Sequence, residues 1–406
     1  MRILQINAVY NVGSTGVIVS DLHELSMLAG MDSYVAYSTS PLPKKRICNG
    51  YRIGKFFGKK VHAALCRING AQGYFSRYST SRFLKYIDSI SPDIVHLHNL
   101  HSNYININML LGYLAERKIK TVITLHDCWF FTGGCFYYTC ADCSKWLNSC
   151  GDCPKRTADT PAYLYDSSAR ILSDRKKNFN PIENLTAVGV SKWISQEAEK
   201  SFLSKKNIFT IYNGIDTDFF VDTSSDFREK YGLTDKFVIL GAANKWLKPV
   251  NRETLEFVTG SLPNDCVLAL IGCTKRQKNS LPKNVLPVDY IHDRDELRKV
   301  YSMADVFANC TREDALSLIN LEVQSCGTPV VTYRNTGVQE TVDNKCGFSV
   351  ETGNVRAFLD AIIGVKNVGK TTYKKQCRAW VVEKFNYRKN YTEYIDLYKS
   401  IMGEEE

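Results

Sequence analysis

Residues 311–331 read T-R-E-D-A-L-S-L-I-N-L-E-V-Q-S-C-G-T-P-V-V, and this stretch decides the fold. One carboxylate, Asp314, stands eight residues before another, Glu322. A helical run ends at Cys326-Gly327 and breaks at Pro329, and a short apolar strand, Val330 to Thr332, follows. Carboxylates at i and i+8 in a loop-to-helix segment can face one cleft and accept hydrogen bonds from hydroxyls, as on a sugar and a ribose. The same spacing fits two solvated acids, so the neighbouring segments decide between the readings.

Upstream, the second half of the chain alternates strand and helix. Phe237 to Ala242, Val267 to Gly272, Val306 to Asn309 and Phe348 to Val350 read as strands, with a helix at Glu296 to Met303. The tail from Tyr373 to Ile401 reads as helical, with Tyr391, Tyr394 and Tyr398 at helical spacing. The first half alternates in the same way. Arg2 to Asn7 is a buried strand, followed by Y-N-V-G-S-T-G, a helical pattern from Val17 to Leu28 and a strand at Ser33 to Tyr37. Gly13 and Gly16 allow close backbone approach, Ser14 or Thr15 can cap the helix, and the free N–H groups favour an anion. The dinucleotide fingerprint is absent, since G-x-x-G lacks its third glycine, and a plain tight turn is the competing reading.

Further strands run from Asp93 to Leu97, from Thr121 to Leu125 and from Leu185 to Val190. Helices fill about 108–117 and 167–178. His98-Asn99-Leu100-His101 and His126-Asp127 follow two of the strands at their carboxyl ends, where open parallel sheets bind ligands. Helix capping or loop hydrogen bonding is the alternative use of His126. Asn213-Gly214 marks a turn at a domain junction. The pattern is α/β: two doubly wound Rossmann-like domains facing a cleft, divided as 1–208, 209–380 and a C-terminal helix over 381–406 that packs back toward the first domain.

The chain has 406 residues, of which 44% are hydrophobic, enough for two cores. No apolar run approaches the roughly 18 residues that span a bilayer, and the start, M-R-I-L-Q-I-N, turns polar too soon for a signal peptide. The net charge of +10 is local. Residues 41–87 hold eleven Lys or Arg and no acid. Within them Phe57, Val61, Ala64, Leu65 and Ile68 form one helical stripe, and Lys55, Lys59, Lys60 and Arg67 fall on the other side. That pattern suits an anionic membrane surface met by segment 44–85. It also suits a surface helix packed on the core by the same stripe. Nucleic acid is a third reading, prompted by Tyr74, Phe75 and Tyr78 among the charges, and no nucleic-acid motif supports it.

Fourteen cysteines without an export signal point to reduced thiols or metal ligands in the cytosol. Six of them, Cys128, Cys135, Cys140, Cys143, Cys150 and Cys153, cluster, with Cys140/Cys143 and Cys150/Cys153 as C-x-x-C pairs. Structural zinc, packed free thiols, and a redox or disulfide pair are the readings open to them.

Taken in order, G-S-T-G (13–16), H-L-H-N-L-H (96–101), T-L-H-D-C-W (124–129), F-T-G-G-C (131–135), C-G-D-C-P (150–154), V-S-K-W-I (190–194), N-G-I-D (213–216), and E-D-x7-E running into C-G-T-P-V-V (326–331) resemble one family. It is that of the GT-B retaining glycosyltransferases of the family-four group, in particular the bacterial enzymes of colanic-acid, O-antigen and capsule assembly. The resemblance covers nearly the whole chain. It implies transfer of a sugar from a nucleotide-sugar, a UDP- or GDP-sugar, to a lipid-linked glycan, with no metal needed for catalysis and no nucleic-acid partner. It implies an enzyme peripheral to the inner face of the bacterial plasma membrane. By the same resemblance Glu322 meets the ribose, Asp314 the donor sugar, the backbone of Ala315, Leu316, Ser317 and Leu318 the sugar or phosphate, Gly16 (with Gly13 and Thr15) the diphosphate, and His126 the reacting centre. The family's cysteines match Cys135, Cys143, Cys150 and Cys153, the set for a structural zinc.

Departures are concentrated in the second half. The usual Lys-Gly after its first strand is missing from G-A-A-N-K-W-L-K-P-V-N, where strict spacing reaches Val250. Asn244, Lys245 and Lys248 stand in that loop, and Lys245, Lys248 or Arg252 would have to supply the charge a leaving diphosphate needs. Leu316-Ser317, Thr336-Gly337 and Ser102 replace other family residues. A catalytically degenerate GT-B protein acting as a scaffold or partner subunit is the rival expectation.

Overall fold

The computed structural model describes residues 1–43, 46–159 and 161–403; Lys44 and Lys45 of the basic segment lie outside them. The chain forms two compact units, Met1–Asn213 joined by the segment from Arg388, and Gly214–Tyr387.

The first unit carries a seven-stranded parallel sheet in the order β3-β2-β1-β4-β5-β6-β7. Its strands are β1 (Arg2–Val9), β2 (Asp32–Thr39), β3 (Gly50–Arg52), β4 (Ile94–Leu97), β5 (Lys120–Leu125), β6 (Leu185–Gly189) and β7 (Asn207–Thr210). β1, β4, β5 and β6 are buried on both faces because helices cover both sides. The order reverses between β1 and β4, so the loops after these strands part and leave room for a ligand. The helix α1 (Gly13–Leu28) begins four residues after the Val9 end of β1. Its N-cap is Val12, without a side-chain cap bond, so neither Ser14 nor Thr15 caps it as the sequence suggested. Gly13 and Gly16 therefore lie in the first turn of the helix. Gly16 has a packing reason: a Cβ there would stand 3.2 Å from Val9 Cγ2 and 3.3 Å from Asn11 N.

The second unit carries a six-stranded parallel sheet, β10-β9-β8-β11-β12-β13. Its strands are β8 (Phe237–Ala242), β9 (Cys266–Ile271), β10 (Val285–Val288), β11 (Val306–Asn309), β12 (Val330–Arg334) and β13 (Gly347–Glu351). Its reversal lies between β8 and β11. Leu318–Ser325 forms the helix expected after Asp314, closed at Cys326 and Gly327, which has φ +79°.

The tail is two helices, Lys370–Lys384 and Tyr387–Met402, rather than one helical run. The break has a cause in the second unit: Asn386 bridges Ile215 in parallel, and its Nδ2 donates to Thr217 Oγ1 at 2.7 Å. The crossing leaves no room at Gly214, where a Cβ would fall 2.3 Å from Tyr387 Cα. Backbone cannot yield as a side chain does. Gly214→Ala is expected to cost about 3 kcal/mol, the upper end of the usual range for point changes. Chemical denaturation measures this, and a loss below about 0.5 kcal/mol, the size of an ordinary surface change, would contradict it.

After Tyr387 the chain rejoins the first unit. Tyr394 and Tyr398 are buried there, Tyr398 OH 2.6 Å from His96 Nδ1 and Tyr394 OH 3.0 Å from Thr124 Oγ1.

Candidate active site

In the second unit the loops after β8 and β11 meet at the point where the strand order reverses. Lys245 sits in the short turn Ala243–Trp246, and Trp246 anchors that turn by folding back on the sheet, its Nε1 donating to Ala308 O at 2.8 Å. Lys245 Nζ lies 3.1 Å from Asp314 Oδ2, both side chains about four-fifths buried (21% and 24% exposed). Asn251 ties the same loops: its Nδ2 donates to Lys245 O at 2.9 Å and its Oδ1 accepts from Arg312 Nε at 3.1 Å. Asp314 is fixed from the other side by Thr336, whose Oγ1 donates to Asp314 O at 2.7 Å, and by Gly337 N at 3.2 Å. Thr336-Gly337, a departure from the family pattern, thus clamps the first acid.

Eight residues on, Glu322 is sunk in a crevice beside Tyr301, whose OH donates to Glu322 Oε2 at 3.1 Å. It keeps some opening to solvent. Desolvation nevertheless pushes its carboxyl up to about 7, opposed by the Tyr301 hydrogen bond and by Arg294. Tyr301 also lines a cavity of about 220 Å³ together with Ala242, Asn244, Gly272, Tyr290 and Ile319. The cavity lies at the carboxyl ends of β8 and β9. The side chain of Ser317, which precedes the Leu318 helix, makes no cap bond. Asn309 Nδ2 instead donates to Ser317 Oγ at 3.1 Å and to Asn320 Oδ1 at 2.8 Å, holding the helix start against β11. Helix-start amides are a natural anion site.

Of the three cations considered for the missing lysine, one is paired with the first acid. Lys245 is beside Asp314. Lys248 is exposed, and Arg252 is at the surface, engaged with Glu256 Oε1 at 2.7 Å.

In the first unit, His98 and His126 follow β4 and β5, and His98 Nδ1 stands 3.1 Å from His126 Nε2. Burial holds His126 at about 4 and His98 well below its usual value, so both are neutral near pH 7. Asn7 knits the loops of the reversal point, its Oδ1 accepting from Asn99 N at 3.1 Å and its Nδ2 donating to Val9 O at 2.8 Å. His101 Nε2 lies 3.3 Å from Asp127 Oδ2, and Asp127 Oδ1 accepts from Trp129 N at 2.8 Å. A buried Arg175 underlies this turn, donating to Trp129 O and Thr132 O with its guanidinium 3.9 Å from the Trp129 ring centre. Asn7, Asn251, Tyr301 and Arg175 were not singled out in the sequence, and Thr336 only as a departure from the family pattern. Each acts on a residue far away in the chain, and single-residue polarity gives no signal for that.

Cys135, Cys143, Cys150 and Cys153 border one cavity of about 20 Å³, with Cys140 exposed. Gly133 permits this, since a Cβ there would come 2.8 Å from Cys150 Sγ. Among the described residues no three side chains of ligand type stand where they could hold a metal ion together.

With this geometry in place, comparison with known proteins is direct. Residues 216–367 match the family described as glycosyl transferases group 1, and residues 48–219 match glycosyltransferase family 4. The chain belongs to the family-four, group 1 glycosyltransferases. Its fold is GT-B. The glycosyltransferase is of the type found in bacterial polysaccharide biosynthesis. It is similar to a putative colanic acid biosynthesis glycosyl transferase of Escherichia coli (23% identical; 87% of this chain and 88% of the relative covered). It is also similar to the N-acetyl-alpha-D-glucosaminyl L-malate synthase of Bacillus anthracis (23% identical; 97% and 96% covered). Among solved structures it resembles Anabaena HepE in complex with UDP, with a TM-score of 0.66, 14% identity, and 98% and 100% of the two chains covered.

Proposed function

We propose that this glycosyltransferase takes a sugar from a nucleotide-sugar, a UDP- or GDP-sugar, and adds it with retention to a lipid-linked glycan in the assembly of a bacterial surface polysaccharide. The observation that carries the donor half is the run of groups in the second unit. A 220 Å³ cavity adjoins Tyr301, Tyr301 holds Glu322, and Lys245 and Asp314 face each other at the strand-order reversal. In this reading the cavity takes the base, Glu322 accepts hydrogen bonds from the ribose hydroxyls, and the amides at Leu316 to Leu318 with Lys245 take the diphosphate. Asp314 binds a sugar hydroxyl. His126, in the first unit at the carboxyl end of β5, is assigned to a ligand hydroxyl there. As the anomeric carbon parts from the diphosphate oxygen and bonds to the acceptor oxygen, negative charge grows on the leaving phosphate, which takes up the proton of the acceptor hydroxyl. A fixed ammonium stabilises that charge best where water is excluded. The HepE structure solved with UDP supports a nucleotide donor of this kind.

The acceptor half rests on α2 (Phe56–Asn69). It buries His62 and Cys66 and leaves Phe56, Phe57, Val61, Leu65 and Ile68 exposed, Phe57 by 77%. The apolar stripe therefore does not pack on the core, which was the other reading of its pattern. Tyr163, Leu164 and Tyr165 are also exposed, and their amides bond to Arg67 O and Ile68 O, so they extend the same patch. Lys55, Lys60 and Arg67 lie beside it. Aromatic and aliphatic groups next to cations fit an anionic membrane surface, at about 1.5–3 kcal/mol per fully buried large side chain and about 1 kcal/mol per cation. Among the described residues no helix is long and apolar enough to cross a membrane, so the proposal is peripheral attachment at the cytoplasmic face.

Two experiments test the halves. Purified protein given a panel of nucleotide-sugars and bacterial lipid extract should glycosylate a lipid from one donor; no transfer and no donor hydrolysis with any of them would sink the enzymatic reading. Phe56→Ser with Phe57→Ser should lower binding to anionic vesicles by about tenfold or more, leaving thermal stability unchanged because both rings are solvent-exposed. Vesicle binding equal to the parent would remove α2 as the docking element.

A further inference from the structure

His126 carries a proton on only one ring nitrogen, and the proposed role depends on which. We infer that His98 is a positioning residue that donates from Nδ1 to His126 Nε2 and so fixes His126 as the Nδ1–H tautomer, with that N–H offered to the ligand. The inference rests on the assignment of His126 to a ligand hydroxyl, and it extends that assignment to the identity of the atom that binds.

His98 Nδ1 and His126 Nε2 are 3.1 Å apart, so one donates and the other accepts. Both rings are neutral because both are buried, so a single proton lies between them. His98 is fully buried, and its other nitrogen, Nε2, has no partner among the described residues. If His126 donated, His98 would carry its own proton on that Nε2, leaving a buried N–H with no acceptor. Orphaned buried N–H groups are rare, and leaving one costs about 1–3 kcal/mol. An unpaired nitrogen lone pair is the cheaper orphan. The proton on His98 is therefore at Nδ1.

The base of the stack allows His98 no other choice. His96, 4.0 Å away ring to ring, is occupied on both sides, by Tyr398 OH at 2.6 Å and Thr124 Oγ1 at 2.7 Å. Thr124 in turn meets Tyr394 OH at 3.0 Å. No group of this lower layer reaches the orphaned Nε2. The C-terminal helix Tyr387–Met402 thus holds His96, His96 backs His98, and His98 orients His126. His126 keeps 9% of its surface open, and with Nε2 engaged, Nδ1 is the nitrogen left for a ligand. Which nitrogen of a histidine is protonated is set by the partner of the other one.

The test reads the tautomer directly. Full-length enzyme labelled with nitrogen-15 histidine gives the protonation of each ring nitrogen by long-range proton–nitrogen correlation near pH 7.5, and His126→Gln identifies the His126 signals. The expected result is the Nδ1–H form of His126. An Nε2–H form, or a charged ring, overturns the inference. His98→Leu should spread His126 over both tautomers. It should also lower kcat by about tenfold to a hundredfold, with donor KM moving less than about threefold. His98→Asn, whose amide N–H stands near the place of Nδ1, should recover most of both. An unchanged His126 spectrum in His98→Leu also overturns the positioning role. Full activity in His126→Ala would count against the ligand assignment alone and leave the tautomer result standing.

Discussion

Lys245→Ala is expected to lower kcat by about a hundredfold to a thousandfold, the usual loss when one preorganised charge at a developing anion is removed. The sequence lacks the Lys-Gly of its family, and of Lys245, Lys248 and Arg252 only Lys245 is largely buried and paired with the first acid. Asp314 holds that ammonium at 3.1 Å in the free protein. A diphosphate, with more charge and several acceptor oxygens, is the stronger partner once bound. The effect should fall mainly on kcat, because the interaction strengthens as the leaving group gains charge. Lys248→Ala and Arg252→Ala serve as controls: Lys248 is exposed and Arg252 is paired with Glu256 at the surface, so each should change turnover less than about threefold. Steady-state kinetics on the three variants measures this. Equal losses in all three, or none in Lys245→Ala, would mean that the charge comes from elsewhere.

Glu322→Gln is expected to weaken nucleoside diphosphate binding by about tenfold to a hundredfold, the worth of a charge-assisted hydrogen bond to the ribose. It should also make the free protein more stable above neutral pH. The carboxyl of Glu322 is raised to about 7 by burial, against 4.5 for the ordinary group. An acid raised in the folded state favours folding fully below its unfolded value, and that advantage is lost as pH rises through the folded value. Glutamine never ionises, so its gain over the parent should be present at pH 8, shrink toward pH 5 and vanish below about 4.5. Thermal unfolding across this range measures the difference. A Glu322→Gln protein less stable than the parent at pH 8 would contradict the burial of this charge.

Much of the second site was legible in the chain. The i and i+8 acids, the Cys326-Gly327 stop and the apolar strand after Pro329 sit within one stretch, so local periodicity and turn chemistry carried the reading. What holds those acids was not legible. Tyr301 meets Glu322 from another helix, and Lys245 meets Asp314 across 69 residues of sequence. Such pairings depend on which strands become neighbours, which alternation alone leaves open. The stripe of α2 was legible as a stripe, while its direction was not, because a helix that faces a core and one that faces a lipid surface share a pattern. The division of the tail followed from the crossing at Gly214, whose reason is steric and remote. The four cysteines were legible as a group, and their shared cavity depends on Gly133, a residue that gives no metal signal.

The most direct measurement of the central claim is equilibrium binding of UDP and of GDP to the intact protein by calorimetry, repeated with Glu322→Ala. One of the two nucleotides should bind with a dissociation constant in the micromolar range, about −8 kcal/mol, and Glu322→Ala should remove most of that affinity. Absence of binding by both, or binding that Glu322→Ala leaves unchanged, would contradict a donor site built on Tyr301, Glu322, Lys245 and Asp314.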